Sequence, residues 1–403
     1  MNVLSVVIPA YNEEGGIAKI IERALSIEPR LGGVGVDGLE VIVVDDGSHD
    51  GTAAIASGYS NVRLVRHAGN QGYGAALKTG FSQARGNLLG FLDADGTYPP
   101  ERFPELCEVA LRDGADLVIG SRMAGAESEM PLVRRIGNVL FANLVSLLGA
   151  HRITDSSSGM RIIRREALPL LYPLPDGLNF TPVMSTRALH EGINWCEVPI
   201  PYRERVGRSK LSVVRDGMRF LQTIVWTVLN YNPVRVLGGI GLALIVAALT
   251  IAATIAGLRI SGVTQLGPWG VASVFLSGLC AVSGITLFSL GATFNHLVSL
   301  FHRRPVRQGL FGRPLFQQPL ERHFGWIGVV AIVGGSLIGA ASLFLSLRGW
   351  PMERLWFYLL GAAMLVVMGL QLLVFWVITG VLGELSERGD RVAEDMAPNH
   401  HLG

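Results

Sequence analysis

Charged residues are scarce in this chain. Asp, Glu, Lys and Arg make up 16% of its 403 residues, whereas soluble domains average about 25%. Intrinsic disorder and a wholly soluble protein are therefore both excluded. Charge is absent altogether from four long apolar stretches, which are residues 236–258, 269–301, 325–347 and 355–383. Because a helix of about 20 residues crosses a hydrocarbon core of about 30 Å, these stretches predict four transmembrane spans.

Cysteine is also rare. The three cysteines Cys107, Cys196 and Cys280 show no C-x-x-C spacing, and their odd number leaves no complete pairing. The sequence therefore excludes a secreted disulfide scaffold and gives no support to a structural zinc site. The net charge is only +2, and nucleic-acid binding needs a clustered basic surface, so no nucleic-acid partner is expected.

A secretory signal is lacking as well. Residues 1–9 have neither a basic start nor a long apolar core, so we expect the N-terminal domain to stay in the cytoplasm. The loop 302–324 carries five arginines, and the positive-inside rule places it on that same side. The C-terminus is then cytoplasmic too, in a multi-pass protein of the cell membrane. The spans contain no Asp, Glu, Lys or Arg and one histidine, His296, which disfavours a proton-coupled transporter.

The charge pattern divides the chain into four parts. Residues 1–210 form a soluble domain, 236–383 the membrane domain, and 384–403 a polar, disordered tail. In residues 211–235, polar side chains recur every three or four positions on an apolar helix. This helix is predicted to lie in the membrane interface, and the alternative is an ordinary helix that packs against the domain. The side chains predicted to lie in lipid are Leu221, Ile224, Val225 and Val228.

Short β-branched runs alternate with helical patterns in the first hundred residues. Such alternation predicts βαβ units and a buried parallel sheet. The runs are residues 3–9, 39–44, 61–65 and 88–92. Three of them end in polar clusters, which are Tyr11-Asn12-Glu13, Asp45-Asp46 and Asp93-Ala94-Asp95. Because ligands bind at the carboxyl edge of open parallel sheets, we expect a site there.

Asp93 and Asp95 stand two positions apart at a strand end. Hard oxygen ligands of this kind suit Mg²⁺ or Mn²⁺ with phosphate oxygens completing the coordination, although solvated turn aspartates would show the same pattern. The chain has neither a G-x-x-x-x-G-K-[ST] motif nor a G-x-G-x-x-G after its first strand, which disfavours a P-loop hydrolase and a dinucleotide site. The glycine-rich residues 70–74, with Lys78 one turn later, either contact a ligand or only shape the loop.

Several segments, taken in order, resemble the family 2 glycosyltransferases, and within them the polyprenyl-phosphate and dolichol-phosphate hexose synthases. They are SVVIPAYNEE, VIVVDDGSHDGT, GNQGYGAALKTGF, FLDADGTYPPE, GSR, TDSSSGMRIIRREAL and EVPIPYRERVGRSKL. The resemblance implies an α/β GT-A fold, Rossmann-like with a mostly parallel sheet, joined to four transmembrane helices. It also implies an inverting, metal-dependent enzyme that moves a hexose from a UDP- or GDP-linked sugar to a polyprenyl or dolichyl phosphate at the cytoplasmic face.

The resemblance and the strand-end pattern together predict a donor site. Asp93 and Asp95 would bind the Mg²⁺ or Mn²⁺ that bridges the donor diphosphate. Thr97 stands where many relatives have a glutamine metal ligand, so either Thr97 or a water would complete the metal site. The predicted nucleotide-sugar residues are Pro9, Tyr11, Glu13, Asp45, Asp46, Lys78, Asp93, Ala94 and Asp95.

A lipid phosphate is already an anion at neutral pH, so an acceptor of this kind needs cations to position it rather than a base. The residues implied to bind the acceptor phosphate are Arg122, Arg134, Arg135, Asn138 and Lys210. The residues implied to take part in catalysis are Asp95, Arg122, Asp155, Arg205 and Arg208. For the basic segment 203–210, attraction to anionic lipid headgroups is the alternative.

Two other functions stay open. One is sugar transfer to a glycerolipid or a glycan, although the Q-x-x-R-W signature of polysaccharide synthesis is absent. The other is a membrane scaffold without catalysis, which the intact Asp45, Asp93, Asp95 and Arg122 disfavour. Small residues in the third span would permit a homo-oligomer through the membrane helices. They include Gly334, Gly335, Gly339 and Ala340.

Overall fold

The computed structural model describes residues 1–124, 130–149, 152–203, 213–263, 266–302 and 320–396. Contacts separate the chain into two units, Met1–Thr227 and Val228–Gly403. The strands of the first unit are β1 (Val3–Ala10), β2 (Gly38–Asp45), β3 (Val62–Arg66), β4 (Leu88–Phe91), β5 (Leu117–Ser121), β6 (Arg161–Arg164) and β7 (Trp195–Pro199). The helices up to the division are α1 (Ile17–Leu25), α2 (Glu28–Leu31), α3 (Thr52–Ser57), α4 (Tyr73–Gln83), α5 (Phe103–Arg112), α6 (Leu132–Gly149), α7 (Leu168–Leu171), α8 (Phe180–Glu191) and α9 (Val213–Leu229).

The strands form one sheet in the order β3-β2-β1-β4-β6-β5-β7. Strand β1 is parallel to β2 and β4, β2 to β3, and β5 to β7. Among the described strands, β6 alone runs antiparallel, between β4 and β5. The predicted mostly parallel sheet is confirmed, and β1 to β4 lie where the β-branched runs indicated strands. The antiparallel strand was not predicted, because strand direction depends on the path of the connecting chain rather than on the strand's own residues.

Helix α1 shows how the sheet is covered. Its residues Ile17, Ile20, Ile21 and Ala24 follow the spacing of one helical face, and all four are buried. They share a core with sheet residues such as Val6. Since burial of one isoleucine contributes about 1.5–3 kcal/mol, this face alone holds α1 firmly against the sheet.

Strand register brings the predicted site segments together. In the β1–β2 pair, Ala10 lies opposite Asp45, and in the β1–β4 pair, Val7 lies opposite Phe91. Because these three strands are parallel, the polar segments that follow them leave the sheet at the same edge.

Four long helices make up most of the second unit. They are α10 (Gly239–Ile260), α11 (Pro268–His302), α12 (Phe324–Leu347) and α13 (Met352–Met396). The windows long and apolar enough to cross a membrane are Val234–Ile260, Pro268–Ser299, Phe324–Leu347 and Leu355–Leu385. The four predicted spans are therefore confirmed as helices of the required length and composition.

Small residues let α12 and α13 approach closely. A Cβ added at Gly328 would lie 2.7 Å from the carbonyl oxygen of Gly369, and one at Gly335 would lie 2.7 Å from that of Ala362. Gly335 thus serves packing within the chain, and a homo-oligomer stays a prediction. Helix α13 continues to Met396, so the prediction of disorder is wrong for residues 384–396. Proline would end such a helix because it lacks the backbone N–H that a helical hydrogen bond needs. No proline occurs between the fourth span and Pro398.

Candidate active site

A cleft of about 760 Å³ opens at the carboxyl edge of the sheet in the first unit. The structure brings most of the predicted donor and acceptor residues to this one space. Those that line it are Pro9, Tyr11, Glu13, Asp46, Asp93, Ala94, Asp95, Thr97, Arg122, Arg134 and Asn138. Four others, Asp45, Lys78, Arg135 and Asp155, are not among its described lining residues. Arg205, Arg208 and Lys210 lie outside the described residues.

The two central carboxylates are each oriented by a hydroxyl. The Tyr73 hydroxyl donates to Asp93 Oδ1 at 2.8 Å. Burial, with the nearby charge of Asp93, raises the pKa of Tyr73 well above its ordinary value, so the hydroxyl stays protonated. Asp95 Oδ1 accepts from the Thr97 amide at 3.1 Å and from the Thr97 hydroxyl at 2.6 Å, across a turn in which Gly96 has φ +77°. Thr97 therefore holds Asp95, and its role as a metal ligand stays a prediction.

Asp93 and Asp95 suit a divalent cation only in part. Across the described residues, no group of three or more His, Cys, Asp or Glu side chains is arranged to hold a metal ion. Two carboxylates are nevertheless the usual protein share of a Mg²⁺ site in which substrate phosphates supply other oxygens. The donor set therefore fits a cation that arrives with a phosphorylated ligand, and it does not fit a self-contained metal cage.

A buried ion pair forms part of the wall of the cleft. Arg122 donates from Nε to Asp155 Oδ2 and from Nη2 to Asp155 Oδ1, both at 2.7 Å. The guanidinium lies 5.6 Å from the ring centroid of Tyr98 and 5.5 Å from that of Tyr202. Arg122 thus directs two of its nitrogen atoms to Asp155, and the predicted contact of Arg122 with the acceptor phosphate stays a prediction.

The charges of this pair depend on each other. Burial disfavours the charge of Asp155, but Arg122 outweighs burial and holds the pKa of that carboxyl below its ordinary value. Burial also disfavours the charge of Arg122, yet Asp155 raises the pKa of Arg122 above its ordinary value. Both groups are therefore ionised at neutral pH.

A second buried arginine, which was not among the predicted site residues, lies close to this pair. Arg161 begins β6, is fully buried, and donates to the carbonyl oxygens of Ser158 at 3.0 Å and Ser156 at 2.8 Å. Burial lowers the pKa of Arg161 to about 10, and Asp155 favours its charged form. Arg161 therefore remains a cation at neutral pH. Its signal in the sequence was an arginine at the start of an apolar strand.

Asp45 and Lys78, both predicted donor residues, are bound by the protein itself. Asp45 is fully buried and accepts from the Ser48 amide at 3.1 Å. Lys78 donates to the Leu174 carbonyl at 3.1 Å and forms an ion pair with Asp176. These contacts shape the loops beside the cleft, and direct donor contact by either residue stays a prediction.

Helix α6 forms one wall of the cleft with Val133, Arg134, Gly137, Asn138 and Phe141. Its other side carries large apolar side chains in contact with solvent, and Arg135 is exposed as well. A stripe of this kind is typical of a helix that contacts lipid or another protein. This stripe was not predicted, although the spacing of its residues in the sequence was an available signal. The stripe consists of Leu132, Ile136, Leu140 and Leu147, which are 60–71% exposed.

Helix α9 contributes polar residues to the same cleft, among them Arg219, Gln222 and Thr223. The prediction that Ile224 and Val228 lie in lipid is wrong, because both are fully buried within the protein. From Gly217 onward, where the side chains of α9 are described, the exposed large apolar ones are Met218, Leu221 and Trp226.

Comparison with known proteins agrees with this architecture. Glycosyl transferase family 2 matches residues 5–170, and a domain of unknown function matches residues 233–393. The low-salt glycan biosynthesis hexosyltransferase Agl6 of Haloferax volcanii is 30% identical over 295 residues, which cover 72% of this chain and 67% of that protein. The dolichyl-phosphate hexose transferase of the same organism is 34% identical over 224 residues, which cover 55% of this chain and 92% of that protein.

Among solved structures, glucosyl-3-phosphoglycerate synthase from Mycobacterium tuberculosis in complex with Mn²⁺, UDP and phosphoglyceric acid is 23% identical. The match covers 56% of this chain and 78% of that one, with a TM-score of 0.47. The mostly parallel sheet with acidic strand ends around one cleft defines a glycosyltransferase domain of the GT-A type. The chain belongs to glycosyl transferase family 2. The resemblance found in its motifs is thereby confirmed.

Gly159 is predicted to be needed for the position of Asp93. A Cβ at residue 159 would lie 2.6 Å from Asp93 Oδ2, so Gly159→Ala should push this carboxylate out of place. We expect glycosyl transfer to fall about 100-fold, as for a misplacement of roughly 1 Å in an active site. Steady-state rates measure the effect. Gly32→Ala is the control, since nothing lies within 4 Å of a Cβ there, and equal activities of the two variants would contradict the prediction.

Proposed function

We propose that this chain is an inverting hexosyltransferase that moves a hexose from a nucleotide sugar to a polyprenyl or dolichyl phosphate, with Mg²⁺ or Mn²⁺ as cofactor. The observation that carries the proposal is that Asp93 and Asp95 line the same cleft as Arg134 and Asn138. One cleft therefore offers carboxylates for a cation-bound diphosphate and a cation for a second phosphate. The relative named dolichyl-phosphate hexose transferase supports the lipid-phosphate acceptor.

On the donor side, Asp93 and Asp95 would hold the cation together with the diphosphate of the nucleotide sugar. When bound, this ion would neutralise negative charge on the departing nucleotide. The hydroxyls of Tyr73 and Thr97 keep the two carboxylates in place. Pro9, Tyr11 and Glu13 line the cleft beside the end of β1 and would contact the base and ribose.

On the acceptor side, Arg134 would attract the lipid phosphate and the Asn138 amide would donate to it. The phosphate oxygen is already negative, so it attacks the anomeric carbon without losing a proton to a base. A single displacement forms the new C–O bond as the bond to the nucleotide diphosphate breaks, and the anomeric configuration inverts. The exposed stripe on the far side of α6 would let the acceptor's hydrocarbon chain stay in lipid during the reaction.

The membrane helices would hold the enzyme at its lipid acceptor. Four helices are long and apolar enough to cross a bilayer, and the loop 302–324 carries five arginines. By the positive-inside rule, the catalytic domain and the C-terminus then lie on the cytoplasmic side of the cell membrane.

Nucleotide release by the purified full-length protein in detergent tests the proposal. UDP-glucose, UDP-N-acetylglucosamine and GDP-mannose are each supplied with undecaprenyl or dolichyl phosphate, and with Mn²⁺ or EDTA. We expect release from one donor only, dependent on both the metal and the lipid phosphate. The matched control replaces the lipid phosphate with the corresponding polyprenol, which lacks the anion.

Other outcomes would overturn particular parts of the proposal. Release that requires diacylglycerol instead of a lipid phosphate would show a different membrane acceptor. Nucleotide release that persists in EDTA would show that the reaction does not require Mg²⁺ or Mn²⁺. A folded protein that releases no nucleotide with any donor and lipid would favour a scaffold without catalysis.

A further inference from the structure

His67 lies just after β3, away from the cleft lining, and its ring is bonded on both sides. Nδ1 lies 2.7 Å from Asp46 Oδ1, and Nε2 lies 2.9 Å from the Thr79 hydroxyl on α4. The side chain is 7% exposed. The backbone amide of His67 also donates to the Asp45 carbonyl at 2.9 Å. A ring held in this way has one orientation, because both nitrogens and the backbone are constrained at once.

The Asp46 carboxylate, which bonds the His67 ring, also accepts hydrogen bonds from the loop before α4. Its Oδ1 accepts a hydrogen bond from the backbone N–H of Gln71, and its Oδ2 accepts one from the backbone N–H of Gly72, both at 2.9 Å. Gly72 has φ +106°, and a Cβ there would lie 2.5 Å from the Asp176 carbonyl oxygen. The loop therefore has little room, and the Asp46 carboxylate determines where its backbone lies.

The next residue is Tyr73, whose hydroxyl donates to Asp93. Hydrogen bonds thus connect the His67 ring through Asp46 to the backbone of residues 71 and 72, and the covalent chain connects that backbone to Tyr73, which bonds Asp93. The Thr79 bond holds the same helix, α4, at a second point. A shift at either point would move Tyr73 relative to the carboxylate that it orients.

We propose that His67 is a positioning residue of the donor site, which acts through Asp46 and the start of α4 to set the Asp93 carboxylate. The inference rests on the proposed function for its kinetic consequences. The hydrogen bonds themselves belong to the protein and can be tested without turnover.

Three variants test the two hydrogen bonds of the His67 ring one at a time and together. His67→Asn can place an amide nitrogen near the position of Nδ1 and keep the bond to Asp46. His67→Gln places its amide near Nε2 and keeps the bond to Thr79. His67→Phe preserves a ring and removes both. Tyr59→Phe is the matched control, since it removes a 3.0 Å hydrogen bond to Glu22 elsewhere in the same domain.

Hydrogen exchange of a peptide that contains residues 71 and 72 gives the first readout on the full-length protein. We expect exchange about 10-fold faster in the Gln and Phe variants than in the Asn variant and the control, since only the Gln and Phe variants lose the hydrogen bond to the charged Asp46 carboxylate. Unchanged exchange in His67→Phe would overturn the proposal, whether or not the protein transfers sugar.

Kinetics give the second readout. We expect the KM for the nucleotide sugar to rise about 10-fold in the Gln and Phe variants, with partial rescue by Asn and no change in the KM for the lipid phosphate. A purely structural role would instead lower kcat by reducing the folded fraction and leave the donor KM unchanged, and that result would overturn the proposal. If the wild type transfers no sugar, binding of Mn²⁺ with UDP or GDP replaces the donor KM. Equal affinities in the wild type and His67→Phe would then count against the proposal.

Discussion

Replacing Asp93 with asparagine is expected to lower nucleotide release at least about 1,000-fold while the protein stays folded. Asparagine retains the shape of the side chain and an oxygen that can accept from Tyr73, but it removes the negative charge that a divalent cation requires. Loss of one charge-stabilising group in an active site typically costs about 100- to 1,000-fold in turnover. A cation ligand should lie at the upper end of that range, because the cation itself is lost with it.

The control for this prediction is Asp113→Asn. Asp113 is half exposed, pairs with Arg112 on the surface, and is not among the described residues of the cleft. It should keep full activity. If Asp93→Asn kept more than a tenth of the wild-type rate, the cation site at Asp93 would be disproved. If the two variants and the wild type were equally inactive, the chain would lack catalysis altogether.

Replacing Arg122 with methionine is expected to destabilise the catalytic domain by about 3–5 kcal/mol at neutral pH. Methionine fills much of the same volume, but it leaves the Asp155 carboxylate buried without its bidentate partner, so that Arg161 is the nearby cation that still favours its charge. For a domain of this size, the loss corresponds to a thermal midpoint about 10 °C lower. Thermal unfolding of the full-length protein, followed by intrinsic tryptophan fluorescence, measures it.

The pH dependence of this stability loss tests whether the unpaired charge of Asp155 causes it. Arg122 holds the pKa of Asp155 below its unfolded value, which is near 3.9 for a free aspartate. The wild type therefore has the full contribution of the pair above about pH 4 and loses it as the pH falls through the lower, folded pKa. In Arg122→Met, burial dominates and raises the pKa of Asp155, so protonation relieves the penalty as the pH falls. The difference in the free energy of unfolding between the wild type and Arg122→Met should therefore be larger at pH 7 than near pH 4.5.

A double variant, Arg122→Met with Asp155→Leu, separates charge from packing. Removing both charges should recover part of the lost stability, because the unpaired Asp155 carboxylate is gone, while Arg161 loses the favourable charge of Asp155 and also the repulsion of Arg122. Activity should remain low, since the cleft has lost a wall residue held between Tyr98 and Tyr202. If the double variant were less stable than Arg122→Met alone, the charge argument would be wrong.

Much of the architecture could be predicted before any coordinates were known. The β-branched runs indicated β1 to β4 within one or two residues, and uncharged stretches indicated all four membrane helices. The strand-end clusters indicated the edge of the sheet at which the cleft opens, and eleven of the predicted site residues line that cleft. These features depend on local patterns, which are apolar periodicity, strand length and the polar residues that follow a parallel strand.

Partners of individual side chains could not be predicted in the same way. Arg122 meets Asp155, 33 residues away, and Lys78 meets the Leu174 carbonyl, 96 residues away. Both cations were predicted to contact a ligand, because the sequence around a basic residue is the same whether its partner is a phosphate or an oxygen of the protein itself. The bonds that hold Asp46 had no sequence signal either, since their geometry depends on how two loops and α4 pack.

The fold class, the four long apolar helices and the edge of the sheet at which the cleft opens could all be read from the sequence, because each follows from periodicity and from the order of short apolar runs. Which polar groups face the cleft and which bind one another depended on the tertiary fold, and so did the position of α6, whose Arg134 and Asn138 line the cleft while an apolar stripe stays exposed. The physical reason is that a buried charge must find a partner wherever the folded chain places one, and that partner is chosen by distance in space rather than by position along the chain.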